Sequence, residues 1–190
     1  MSNPLQNSSQ LIIKQRYLPH WELAGSVYFV TFKTWQKLKL STDARQIVLN
    51  CCLFFDQSIN CKDARYQTFI IVIMPDHVHW LLQPLPKIDK TILSETSETG
   101  KMPVPRVLIS QNKLECWSLS SILHSVKSYS SKQIPKVMKH IGTIWQDERY
   151  DRIIRNRREF LNTWKYIQLN PVKAHLSDTP ENYPYLWETF

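Results

Sequence analysis

The sequence predicts an α+β fold, an antiparallel sheet of the split β-α-β, ferredoxin-like type with helices on one face. Three observations predict it. Apolar periodicities run in the order β-α-β-β-α-β-α. Strand-like segments are β-branched and aromatic, while the segments between them open on capping side chains. Residues 66–83 read as a hairpin around the Pro75-Asp76 turn.

Residues Val27 to Phe32 (V-Y-F-V-T-F) read as a buried strand. Ser41-Thr42-Asp43 offers caps for a helix whose apolar face is Ala44, Ile47, Val48, Cys51, Phe54 and Phe55. Phe69 to Ile73 and His77 to Leu82 are the hairpin strands. Ser118 caps a second helix with Leu119, Ile122, Leu123 and Val126 on one face. A short strand follows within Trp145 to Ile154. Asn156, with Glu159 three residues on, resembles a capping box and opens a third helix. Phe160, Trp164 and Ile167 lie on its core side, and Pro171 is expected to end it. Between 85 and 117 the periodicity dissolves into a segment with Pro86, Pro103, Pro105 and a Ser-Glu-Thr-Ser-Glu-Thr-Gly run. A loop of that length is read as an insertion in a single domain spanning 1–190.

Composition narrows the function. Lysine and arginine outnumber aspartate and glutamate 24 to 16, a net charge of +8 that suits a polyanion, nucleic acid before membrane. The three glycines, Gly25, Gly100 and Gly142, form no phosphate-cradling loop, which argues against nucleotide-driven or dinucleotide-dependent chemistry. Cys51, Cys52, Cys61 and Cys116 contain no C-x-x-C pair and read as reduced thiols of a cytoplasmic protein. Met1 to Gln10 has no signal-peptide pattern, and no apolar run reaches membrane-spanning length.

Two constellations carry chemistry. His77 and His79 are two apart on a strand, so both imidazoles face one way and Val78 the other. Such a pair is a natural metal-ligand pair, although an isolated His-x-His is more often two ordinary histidines. Nitrogen ligands suggest zinc, copper or nickel; a phosphodiester substrate adds oxygens and admits Mg²⁺ or Mn²⁺. Tyr166 and Asn170 are four apart and share a helical face. Tyrosine is a capable covalent nucleophile, and Asn170 could complete a His-His-Asn site. The plainer alternative is a partly buried tyrosine and a helix-terminal asparagine. Around Tyr166, residues 127–173 hold eleven basic against four acidic side chains. Lys127, Lys132, Arg149, Arg152, Arg155, Arg157, Arg158 and Lys165 are the candidate DNA contacts, interleaved with Trp145, Tyr150 and Trp164.

Together these segments resemble the IS200-like single-tyrosine HUH transposases, and within them the REP-associated tyrosine transposases. The resemblance is carried by L-P-H-W-E-L-A-G-S-V-Y-F-V-T-F (18–32), I-M-P-D-H-V-H-W-L-L (73–82), W-Q-D-E-R-Y-D-R-I-I-R-N (145–156) and Y-I-Q-L-N-P-V-K-A (166–174). It implies a ferredoxin-like HUH fold. It implies a divalent metal, Mg²⁺ or Mn²⁺, on His77 and His79 with Asn170 as third ligand. It implies that Tyr166 attacks a phosphodiester of single-stranded DNA beside a hairpin, leaving a 5′-phosphotyrosine and a free 3′-hydroxyl. A monomer or a homodimer is compatible with it. The insertion at 85–117 departs from the family pattern. Two other readings stay open: a domesticated, non-catalytic binder of hairpin or single-stranded nucleic acid, and a replication initiator of the wider HUH group.

Overall fold

A computed structural model describes residues 12–15, 19–60, 62–87 and 115–189. Most of the expected insertion, Cys61 and the extreme N-terminus lie outside these residues. Both ends of the insertion are described. Pro86 and Cys116 form an antiparallel bridge. Lys87 N–H donates to Glu115 and Trp117 N–H to Leu85. The chain therefore leaves and re-enters the fold at one point.

The elements follow the expected order, with additions. A two-stranded ribbon, β1 (Ile12–Gln15) and β2 (Pro19–Glu22), comes first. Then come β3 (Tyr28–Thr34), α1 (Thr42–Leu53), β4 (Tyr66–Ile73), β5 (His77–Pro84), α2 (Leu119–Met138), β6 (Trp145–Ile153) and α3 (Arg157–Gln168). A single turn, α4 (Asn170–Lys173), and an edge strand, β7 (Leu186–Glu188), close the chain. The main sheet has five strands in the order β6-β3-β5-β4-β7, antiparallel throughout. Its inner arrangement is that of a split β-α-β unit: β5 lies between β3 and β4, which α1 connects.

Local signals account for most boundaries. Ser41, Ser118 and Asn156 each accept a backbone N–H at the start of α1, α2 and α3. In α3 the Glu159 carboxylate also accepts the N–H of Arg155. Two boundaries differ from expectation. α1 stops at Leu53, because the chain turns through Asp56, whose buried carboxylate takes the N–H of Ser58 and Thr68. Phe54 is left exposed. Pro171 does not end α3. It opens α4, where a proline lacks only a donor that has no helical partner. Leu169 between the two is still right-handed helical, so the helical phase carries from Tyr166 to Asn170.

Strand alternation divides the core in two. On one face Val30, Phe32, Ile71, Ile73, Val78 and Trp80 are buried under α1 and α2. There Trp145 stacks edge-on against Phe32, and its Nε1 donates to Ser130 of α2. On the other face lie Phe29, Thr31, His79 and Leu81. The expectation of helices on one face holds for α1 and α2 and fails for α3. That helix crosses the second face, where Phe160 packs on Phe69 and Tyr166 on Phe29. Ile167, fully buried, and Thr163 give it an apolar stripe that needs this surface. Cys51, Cys52 and Cys116 are free thiols. Among the described residues no helix is long and apolar enough to cross a membrane.

Candidate active site

The site forms where α3 meets the start of β5. Met74 N–H donates to His77 across the β4–β5 turn, which sets His77 and His79 two residues apart on one side of the strand. Their rings lie 4.7 Å apart between centroids, at 71° to each other. Each ring is held through Nδ1. His77 Nδ1 is 2.7 Å from an Asp76 oxygen, and His79 Nδ1 is 2.7 Å from Thr31 Oγ1 on the neighbouring strand. Asp76 also pairs with Lys39. Partial burial pushes the Asp76 carboxyl up, but hydrogen bonds from Lys39 and His77 outweigh it and hold it below the usual range. As a carboxylate it only accepts, so His77 Nδ1 is the donor in that contact and Nε2 is the ring's other nitrogen, turned away from Asp76.

Tyr166 reaches this pair from α3. Its hydroxyl lies 3.2 Å from His79 Nε2, and its ring meets the edges of Phe29 and His79 at 5.9 and 5.2 Å. The residue is 43% exposed, so one side of it faces solvent. His79 is buried, and that burial, with the charges of His77 and Lys33, presses its pKa down to about 3. It stands neutral at ordinary pH. Such a ring is a poor proton acceptor but a good cation ligand.

The structure brings His77, His79 and Tyr166 together, as the sequence led us to expect. Asn170 stands one helical turn beyond Tyr166, half-buried, with its carbonyl accepting the N–H of Ala174. Among the described residues its side chain forms no hydrogen bond to either histidine. Nor do three His, Cys, Asp or Glu residues converge among the described residues. The donor set on view is two imidazoles.

The sheet sorts the basic candidates. Arg152 lies above Phe29, its guanidinium held by Glu159 at 3.0 Å and by Thr163 at 3.1 Å. With Arg155, Asn156, Arg158 and Asn162 it lines a cleft of about 530 Å³ whose wall includes Tyr166. Arg157 and Lys165 are exposed on α3 outside that lining. Lys127 and Arg149 belong to the opposite side. Lys127 donates to the carbonyls of Gln146 and Asp147, and burial, helped by Arg149, lowers its pKa to about 8. Arg149 bonds Ser120 of α2 and pairs with Asp151. Lys132 is exposed on α2.

Sequence reading missed Thr31, Asp76 and Phe29 as site residues, and named Tyr150 only as an aromatic interleaved with the basic candidates. Thr31 and Asp76 had a faint signal: a lone hydroxyl in an apolar strand, and an acid directly before the first histidine. Tyr150 pairs across from Thr31, so its half-exposed ring lies on the His79 side, edge-on to Phe29 at 6.3 Å. Which strand adjoins β3 was not readable locally.

A ferredoxin-like sheet with paired histidines facing a helical tyrosine is the class that fold and site define. No protein-family model matches the chain. It is 23% identical over 134 residues to a Haemophilus influenzae protein provisionally named a REP-associated tyrosine transposase. That match covers 66% of this chain and 60% of the relative. The fold matches a solved REP-associated tyrosine transposase bound to a REP hairpin, with a TM-score of 0.58, 18% identity, and coverage of 91% and 82% of the two chains. A Deinococcus radiodurans R1 protein provisionally named a transposase aligns with a TM-score of only 0.42 at 13% identity, and no argument rests on it. In sequence and in fold, the chain is thus similar to REP-associated tyrosine transposases, as its motifs indicated.

Proposed function

We propose that the protein is a metal-dependent single-stranded DNA endonuclease and strand transferase that acts beside hairpins of repeated DNA. The observation that carries this reading is the meeting of His77, His79 and Tyr166, 87 residues apart in sequence at the Tyr166–His79 contact. His77 and His79 would hold the divalent cation, Mg²⁺ or Mn²⁺, with Asn170 as the proposed third ligand; when bound, such a cation polarises a phosphoryl oxygen. The donors fit that role, since both Nδ1 atoms are engaged by Thr31 and Asp76, which makes Nε2 the ligand atom of each ring, that of His79 being met by the exchangeable Tyr166 hydroxyl.

Tyr166 is the nucleophile. Its oxygen forms a bond to phosphorus, and the bond from phosphorus to the 3′-oxygen breaks. The phenolic proton leaves, and the departing 3′-oxygen takes up a proton. The products are a 5′-phosphotyrosine and a 3′-hydroxyl. One phosphodiester replaces another, so the reverse attack rejoins DNA without an external energy source. Arg152, Arg155 and Arg158 surround the cleft next to Tyr166 and are the proposed contacts to the strand's phosphates, with Arg157 and Lys165 as flanking charges.

The test is incubation of the full chain with end-labelled single-stranded DNA carrying a hairpin, with Mg²⁺ or Mn²⁺. We expect a covalent protein–DNA adduct that is lost in Tyr166→Phe and in EDTA. An adduct of equal yield in Tyr166→Phe overturns the nucleophile assignment. Salt-sensitive hairpin binding without an adduct supports the non-catalytic binder instead.

A further inference from the structure

His79 is engaged at both ring nitrogens: Nδ1 by Thr31 Oγ1 at 2.7 Å, Nε2 by the Tyr166 hydroxyl at 3.2 Å. A neutral imidazole has one N–H and one bare nitrogen, whereas a hydroxyl can donate or accept. Two arrangements satisfy both contacts. The neighbouring ring selects between them, because His77 donates from Nδ1 to Asp76, which leaves Nε2 as its ligand atom. Side by side on one strand, the two rings reach a common cation most directly through the same nitrogen. Thr31 is 8% exposed and sits directly opposite His79 in the β3–β5 register, so its hydroxyl has little freedom to leave.

We propose that Thr31 is a positioning residue that accepts from Nδ1–H of His79 and turns the bare Nε2 toward Tyr166, so that the Tyr166 hydroxyl and a divalent cation compete for one lone pair. This rests on the reading of His77 and His79 as cation ligands. A lone pair makes one such bond at a time. When a cation takes Nε2, the Tyr166 hydroxyl leaves His79, keeping its proton, and becomes free to approach a phosphodiester. Phe29 packs against both rings, edge-on to Tyr166. Tyr166 is 43% exposed and can swing by side-chain rotation alone. The same contact restrains the nucleophile until the cation arrives.

Manganese binding to the full chain, measured by calorimetry without DNA, tests this. Tyr166→Phe removes the competitor and should bind Mn²⁺ about two- to tenfold tighter, the worth of one hydrogen bond. Thr31→Val should bind about ten- to a hundredfold more weakly, as loss of a ligand's supporting partner usually does, and Thr31→Ser should restore affinity. Equal or weaker binding by Tyr166→Phe overturns the competition. Unchanged affinity in Thr31→Val overturns the positioning role. Imidazole ¹⁵N NMR of the metal-free chain gives a second readout: Thr31→Val should alter the His79 tautomer balance, and Thr31→Ser should not. If neither the wild type nor any variant binds Mn²⁺, the cation reading and the competition fall together. An altered tautomer in Thr31→Val then still establishes the Thr31 contact.

Discussion

His79 is 6% exposed and shares its surroundings with His77 and Lys33. Its folded pKa of about 3 lies below the ordinary 6.5. The unfolded chain therefore takes up a proton below about pH 6.5 that the folded chain refuses until about pH 3, so this residue's contribution to stability is present above 6.5 and is lost as pH falls through that window. The slope from one such group is at most about 1.4 kcal/mol per pH unit. We expect His79→Gln, without metal, to lose less stability than wild type between pH 7 and pH 4.5 in urea titrations. Parallel losses in the two proteins would show that His79 does not stay neutral. A buried, neutral imidazole also suits the chemistry: its lone pair remains available where a protonated ring would repel a cation.

α3 positions Tyr166, the proposed nucleophile, and its start is anchored by short polar contacts. Asn156 Oδ1 accepts the N–H of Glu159, and Glu159 returns its carboxylate to the N–H of Arg155 and to the Arg152 guanidinium. Cap, helix and cleft wall are thus one connected unit. Asn156→Ala should cost about 1 kcal/mol of stability, read as a lowered denaturation midpoint. Since Asn156 and Arg152 both line the cleft, the same variant should weaken single-strand binding more than its stability loss accounts for. On the other face, Trp80 is fully buried, edge-on to Tyr66 at 5.1 Å, with Nε1 donating to Thr68. Trp80→Ala should cost about 3–5 kcal/mol, a cavity plus an orphaned hydroxyl in the core. Full retention of the denaturation midpoint in that variant contradicts the packing described.

The net charge of +8 is not spread evenly over the functional surface. Arg152, Arg155 and Arg158 flank Tyr166, whereas Lys127 and Arg149 are tied into the α2–β6 side. Binding of a single strand across the Tyr166 face should therefore depend on salt through the first set. Each phosphate contact removed should flatten the slope of log K against log salt by about 0.7. Arg155→Ala and Arg158→Ala should each do so, and Arg149→Ala should leave the slope unchanged for an unstructured oligonucleotide. Equal flattening by all three variants means the strand also engages the α2–β6 side.

Much of this was written into local sequence. The β-α-β-β-α-β-α order, the caps at Ser41, Ser118 and Asn156, and the common aim of His77 and His79 follow from periods of 2 and 3.6 residues and from short polar side chains. These act within a few residues, so a window of sequence contains them. The placement of Tyr166 on His79 was expected only through resemblance, for no local rule says which sheet face a helix will cover. The β6-β3-β5 order brought Thr31 to His79 and Tyr150 to the same face. The β3–β6 register pairs Arg149 with Phe32 and so turned it away from that face, and the side-by-side packing of α2 and β6 took Lys127 into a backbone contact. Such choices depend on pairings between residues tens of positions apart, which burial of the whole apolar surface settles together.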